Sequence, residues 1–148
     1  MLILAACAPG PTEGAAAPWE GVVVALQDDA ALAFLDPEGG LLGTVDLSEE
    51  IDGERLPWMV HNVQVTPDGR TALATAMVPM KGPVVNAPDE LLIVDLETRS
   101  LLRRCALDYA AGAAHVVTDG ETAWITAYDQ DRVLVVDLAE CEVSARWP

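Results

Sequence analysis

The residues best suited to chemistry are two histidines and three internal methionines, and most of them fall close together. Met59, His61, Met77 and Met80 lie within one stretch of the chain. Imidazole and thioether ligands together suit a soft metal, copper(I) above all. No His-x-His or Cys-x-x-Cys spacing accompanies them. The same methionines would also serve as packing beneath a long loop, with His61 hydrogen-bonding a neighbouring unit. Trp58, Lys81 and Asn86 stand in the same stretch, and His115 and Tyr128 follow further along. With His61 these are the candidates for contact with a ligand. None of them forms a catalytic constellation.

Carboxylates are abundant: Asp and Glu number 24 against 8 Lys and Arg, a net charge of −16. A phosphate backbone or an anionic headgroup layer is repelled by such a surface, which argues against nucleic acid as a partner. Asp28-Asp29, Glu49-Glu50-Asp52 and Asp129-Asp131 fall in loops, either solvated or able to hold a hard cation such as calcium. Asp36, Asp95 and Asp137 recur at one position of a repeated pattern. That recurrence predicts a structural role in which each carboxylate caps a turn through its backbone N–H groups. No Gly-x-Ser-x-Gly elbow or phosphate-cradling loop is present.

The elements that must position these residues are short strands. Leu32–Asp36, Leu92–Leu96 and Leu134–Leu138 are apolar runs that meet an Asp and then a polar turn. Each is followed by a further strand-like stretch. Thr66-Pro67-Asp68-Gly69 and Thr118-Asp119-Gly120 each divide a pair of strands, and Asp-Gly is a strong hairpin signal because Gly tolerates positive φ. Asp95 and Asp137 are 42 residues apart, and four-stranded propeller blades repeat every ~40–45 residues.

The stretch "HNVQVTPDGRTALATA … ELLIVDLETRSLL" resembles the YVTN-type β-propeller repeat family. The resemblance covers roughly Gly21 to the C-terminus. It implies an all-β fold of antiparallel four-stranded blades, near 21–47, 61–107 and 114–147. The first blade has strands at 21–26, 31–36 and 41–47 and lacks its innermost one. Three units make an incomplete propeller, since propellers have 4–8 blades. The expected chain is thus the N-terminal portion of a longer protein, or one completed by a partner chain. Two insertions, 48–60 and 78–89, fall in connections that share one face in the propeller topology. That face is the expected ligand site. Counting from the Asp-Gly turns puts His115 level with Gln64 rather than His61, which predicts that the two histidines point apart.

Leu4-Ala5-Ala6-Cys7 resembles the lipobox of bacterial lipoproteins, in which the cysteine carries the lipid. Residues 1–7 are then a signal segment and 8–20 an Ala/Pro/Gly-rich tether. The resemblance implies an exported protein, anchored to the membrane through Cys7 and facing the periplasm or cell surface. Cys105 and Cys141 remain. An even remainder in an exported protein invites a disulfide. Their places, one near the end of a strand and one in a turn of the next unit, predict opposite faces, beyond the ~7 Å Cα separation a bridge allows. Separate thiols are therefore expected.

Two functions are consistent with these features. One is a surface-tethered binding or scaffold module for a protein or small-molecule ligand, using the face built from 48–60 and 78–89. The other is part of a periplasmic propeller enzyme or a redox- or copper-associated protein.

Overall fold

The computed structural model describes residues 19–51, 53–78 and 87–148. Cys7 and residues 8–18 of its tether, and the candidates Met80, Lys81 and Asn86, lie outside the described residues.

The described chain is all-β, built from three successive antiparallel meanders. The first sheet is β1 (Val22–Leu26), β2 (Ala31–Leu35) and β3 (Leu41–Asp46). A small hairpin follows, β4 (Glu49–Ile51) with β5 (Glu54–Leu56), inside what the sequence presents as an insertion. The second sheet is β6 (Met59–Val65), β7 (Thr71–Met77), β8 (Pro88–Asp95) and β9 (Ser100–Tyr109). The third is β10 (Ala113–Thr118), β11 (Thr122–Ala127), β12 (Arg132–Asp137) and β13 (Glu142–Trp147).

The middle sheet is buried on both faces, which explains its continuous apolar runs. Side chains alternate across a strand, so each strand of this sheet feeds two cores. Leu92 and Val94 of β8 and Ala72, Ala74 and Ala76 of β7 face the first sheet, where they meet Phe34, Leu32 and Leu47. Leu91 and Ile93 of β8 and Leu73 and Met77 of β7 face the third sheet, where they meet Ile125, Leu134 and Val136. Trp58 plugs the first core and is 1% exposed.

The repeated Asp residues do close their turns. Asp36 Oδ1 accepts from the Gly40 N–H at 2.6 Å, Asp95 Oδ1 from the Thr98 N–H at 2.6 Å, and Asp137 Oδ1 from those of Ala139 and Glu140. The backbone N–H of Thr98 holds the Asp95 carboxyl below the usual carboxylate range. The Asp-Gly turns use the same device. The Thr66 hydroxyl donates to Asp68 at 2.6 Å, and the N–H groups of Glu121 and Thr122 donate to Asp119.

The expectation for the cysteines is corrected. Cys105 and Cys141 form a disulfide, with Cα atoms 5.0 Å apart. Cys105 lies mid-strand in β9, paired with Leu91, and not near the end that faces away from Cys141. Neighbouring twisted sheets do not stand level at their outer edges. The turn between β12 and β13 therefore lands on the middle of β9. Arg103 of β9 donates to the carbonyls of Leu138, Ala139 and Glu140 in that turn, at 3.3, 2.7 and 3.1 Å.

Candidate functional site

Among the described residues, the linker after β9 and the connection between β11 and β12 come together at one end. In the third sheet the short turn Tyr128–Gln130 sits against the linker that follows β9. The Tyr128 and Asp129 N–H groups donate to the carbonyls of Gly112 and Ala111, and the Gln130 amide donates to the Tyr109 carbonyl. Gly112 makes this close approach possible. Its φ is +63°, and a Cβ there would lie 2.8 Å from a carboxylate oxygen of Asp129. Tyr109 and Tyr128 are 59% and 51% exposed on this face.

Two buried carboxylates, Asp89 and Glu90 at the start of β8, brace the same end from below. Asp89 points toward the third sheet. Its two oxygens accept from the N–H groups of Val78 at 3.2 Å and Ala113 at 3.0 Å. Glu90 points toward the first sheet and accepts from Arg104 at 2.6 Å. Arg104 also donates to the Leu47 and Ser48 carbonyls, where the chain enters its β4–β5 hairpin. Burial pushes both carboxyls above their ordinary values, against the pull of these donors. Sequence reasoning missed both residues. Asp89 reads there as the end of an insertion and Glu90 as the start of a strand, and no local pattern reveals that Ala113 of the next sheet and Arg104 of the neighbouring strand cover them.

The two histidines meet. The rings of His61 and His115 lie with centroids 5.3 Å apart and planes at 78°. Both side chains are exposed, on the first strands of adjacent sheets. Their meeting corrects the expectation that they point apart. The turn after β6 closes between Thr66 and Thr71, and that after β10 between Asp119 and Thr122. The first turn is the longer, so counting from Asp-Gly misplaces the strands. Val63 faces Ala74 and Val116 faces Ile125 at matching levels, which puts His115 level with Asn62, next to His61.

Bulges do the rest. The register of β6 on β7 slips between Val60 and Asn62, and that of β10 on β11 slips between Ala113 and Val116. Each histidine lies within its bulge, a feature that re-aims side chains. The backbone groups freed by the third sheet's bulge are claimed by side chains. Thr75 donates to the Ala114 carbonyl at 2.6 Å, the His115 N–H donates to Thr126 Oγ1 at 3.0 Å, and the Val116 N–H donates to Asn62 Oδ1 at 3.1 Å. Asn62 and Thr75 belong to the second sheet. They fix the bulge of the third in place against His61.

Other candidates are dispersed. Met59 and Met77 face each other across β6 and β7. Met77 is buried in the second core and Met59 packs against it. Trp58 is interior, and its indole Nε1 has no hydrogen-bond partner among the described residues. No group of three or more His, Cys, Asp or Glu converges among the described residues in a way that could hold a metal.

Stacked antiparallel meanders define the class of this molecule. Among solved structures, the chain is similar to hydrazine synthase of Kuenenia stuttgartiensis, a propeller-containing protein. The TM-score is 0.59 at 18% identity, over 84% of this chain and 33% of that one. The present chain therefore spans about a third of that neighbour's length. A weaker likeness is to the dihydro-heme d1 dehydrogenase NirN, solved in complex with DHE. Its TM-score is 0.44 at 14% identity, over 78% of this chain and 23% of that one. No family model matches the sequence, and no curated protein does.

Proposed function

We propose that the chain is three blades of a YVTN-type β-propeller, exported and anchored through Cys7, which binds a protein or small-molecule ligand at its loop-rich face. The observation that carries this reading is the convergence, at one end, of the linker after β9, the exposed Tyr109 and Tyr128, and the His61–His115 contact. Two further features agree with it. Val117 and Trp147 leave the outer side of the third sheet apolar and 59% and 52% exposed, as expected where a further blade would pack. The Cys105–Cys141 bridge suits an oxidising, exported compartment.

A second reading is that the chain is part of a propeller redox enzyme. The likeness to hydrazine synthase favours it, and the remaining blades would then supply the rest of the active site.

Site-specific photo-crosslinking in expressing cells tests the binding face. A crosslinker at Tyr128 is expected to give a discrete adduct, and one at Glu97, in a turn at the opposite end, none. Equal labelling from both positions, or none from Tyr128, overturns the proposal.

A further inference from the structure

We propose that His61 and His115 are a two-histidine site for a divalent transition-metal ion, of the zinc, nickel or copper(II) kind. The inference deepens the reading of the loop-rich end as a ligand site and names the ligand class.

Geometry is the first argument. Two imidazoles bound to one tetrahedral ion, with metal–nitrogen bonds of ~2.0–2.1 Å, hold their ring centres about 5 Å apart. The ring centroids here stand 5.3 Å apart. Little movement separates the observed contact from a chelate.

Construction is the second argument. A chance contact between two exposed side chains needs no support from the backbone. This one has a bulge in each strand, and the bulge around His115 is tied by Thr75, Asn62 and Thr126. These bonds go to backbone groups, and they fix the strand that carries the His115 imidazole against the one that carries His61. Asn62 is well placed for this role, because it follows His61 in sequence and bonds the residue that follows His115.

Chemistry is the third. Imidazole suits zinc, copper and nickel, whereas calcium and magnesium prefer oxygen ligands. A strongly acidic protein attracts cations in general, and the two imidazoles give this position its selectivity. Two protein ligands leave open positions for water, for a bound molecule or for a residue of another chain. The ligand set differs from one built on Met59 and Met77, of which Met77 is buried in the second core with Met59 packed against it.

The chain has two histidines, so an imidazole NMR spectrum of this chain reads the site directly. Titration with zinc at moderate salt, with excess magnesium present to fill carboxylate sites, is expected to shift both imidazole signals together and to saturate at one ion per chain. His61→Gln and His115→Gln should each weaken binding about tenfold or more, and Asn62→Ala about tenfold, with the fold checked by circular dichroism. A shift of one histidine alone overturns the site, as does zinc binding of undiminished strength in the His61→Gln/His115→Gln double variant. These results are independent of crosslinking at Tyr128: a protein ligand could still occupy the face if no metal binds, and the reverse holds too.

Discussion

The two interfaces of the middle sheet share an apolar core but are tied in different ways. Against the first sheet it packs large side chains: Phe34, Trp58, Leu32, Leu47, Leu56 and Leu92 are all fully buried there. Against the third sheet the large buried side chains are aliphatic, Leu73, Leu91, Ile125 and Leu134 among them, with no aromatic ring among the described buried residues of that core. That side adds a covalent bridge, Cys105–Cys141, and the Arg146–Asp108 pair. The turn position that follows the repeated Asp shows the difference well. Arg99, four residues after Asp95, donates to the Leu42 carbonyl of the first sheet's outer strand at 2.8 Å. Cys141, four residues after Asp137, bonds covalently to the second sheet's outer strand. Both residues have positive φ, 53° and 65°. One local geometry thus supplies two kinds of tie. On one side the tie is a hydrogen bond beside a core that holds Phe34 and Trp58, and on the other it is a covalent link beside a core of aliphatic side chains.

Buried charge follows the same division. Glu90 and Asp89 are adjacent, so they point to opposite interfaces. The first sheet's side receives an ion pair with Arg104, and the third sheet's side receives a carboxylate held by backbone N–H groups alone.

Three measurements would break or sharpen this contrast. The largest effect is expected from Phe34→Ala, which empties the first interface. A loss of about 3–5 kcal/mol is expected in urea unfolding, and a loss below about 1 kcal/mol would mean that the large side chains there carry little of the stability. Next is removal of the bridge. Cys105→Ser/Cys141→Ser, or a reductant on the native chain, should cost about 2–4 kcal/mol. Hydrogen exchange should show the loss concentrated in β10 to β13, with the first sheet still protected. Uniform loosening of all three sheets would end the idea that the bridge serves this interface in particular.

The smallest effect is a pH dependence at Asp89. Its folded carboxyl titrates above the ordinary value of 3.8, chiefly because it is buried. The folded state therefore binds this proton more tightly than the unfolded chain. The stability Asp89 contributes is fully present below pH 3.8 and is lost as pH rises through its raised folded value. Urea midpoints of the native chain and Asp89→Asn, compared from about pH 3 upward, should diverge in that direction, with the native chain relatively weaker at the upper end. A constant difference across pH would show that Asp89 acts through its hydrogen bonds alone.

The sequence by itself determined the strands, their order and their turns. Apolar runs at Leu32, Leu92 and Leu134 became β2, β8 and β12, and the Asp and Asp-Gly positions closed turns as their chemistry requires. These features are legible because period-two patterning and turn bonding involve residues a few positions apart. The tertiary structure alone decided which side chains meet across sheets. Twist carried the β12–β13 turn to the middle of β9 and made a disulfide that strand counting argues against. Two bulges, one in β6 and one in β10, turned His61 and His115 toward each other. The physical reason is common to both. A twist accumulates over a whole sheet, and a bulge shifts every later side chain by one position, so neither leaves a mark in the local pattern of residues.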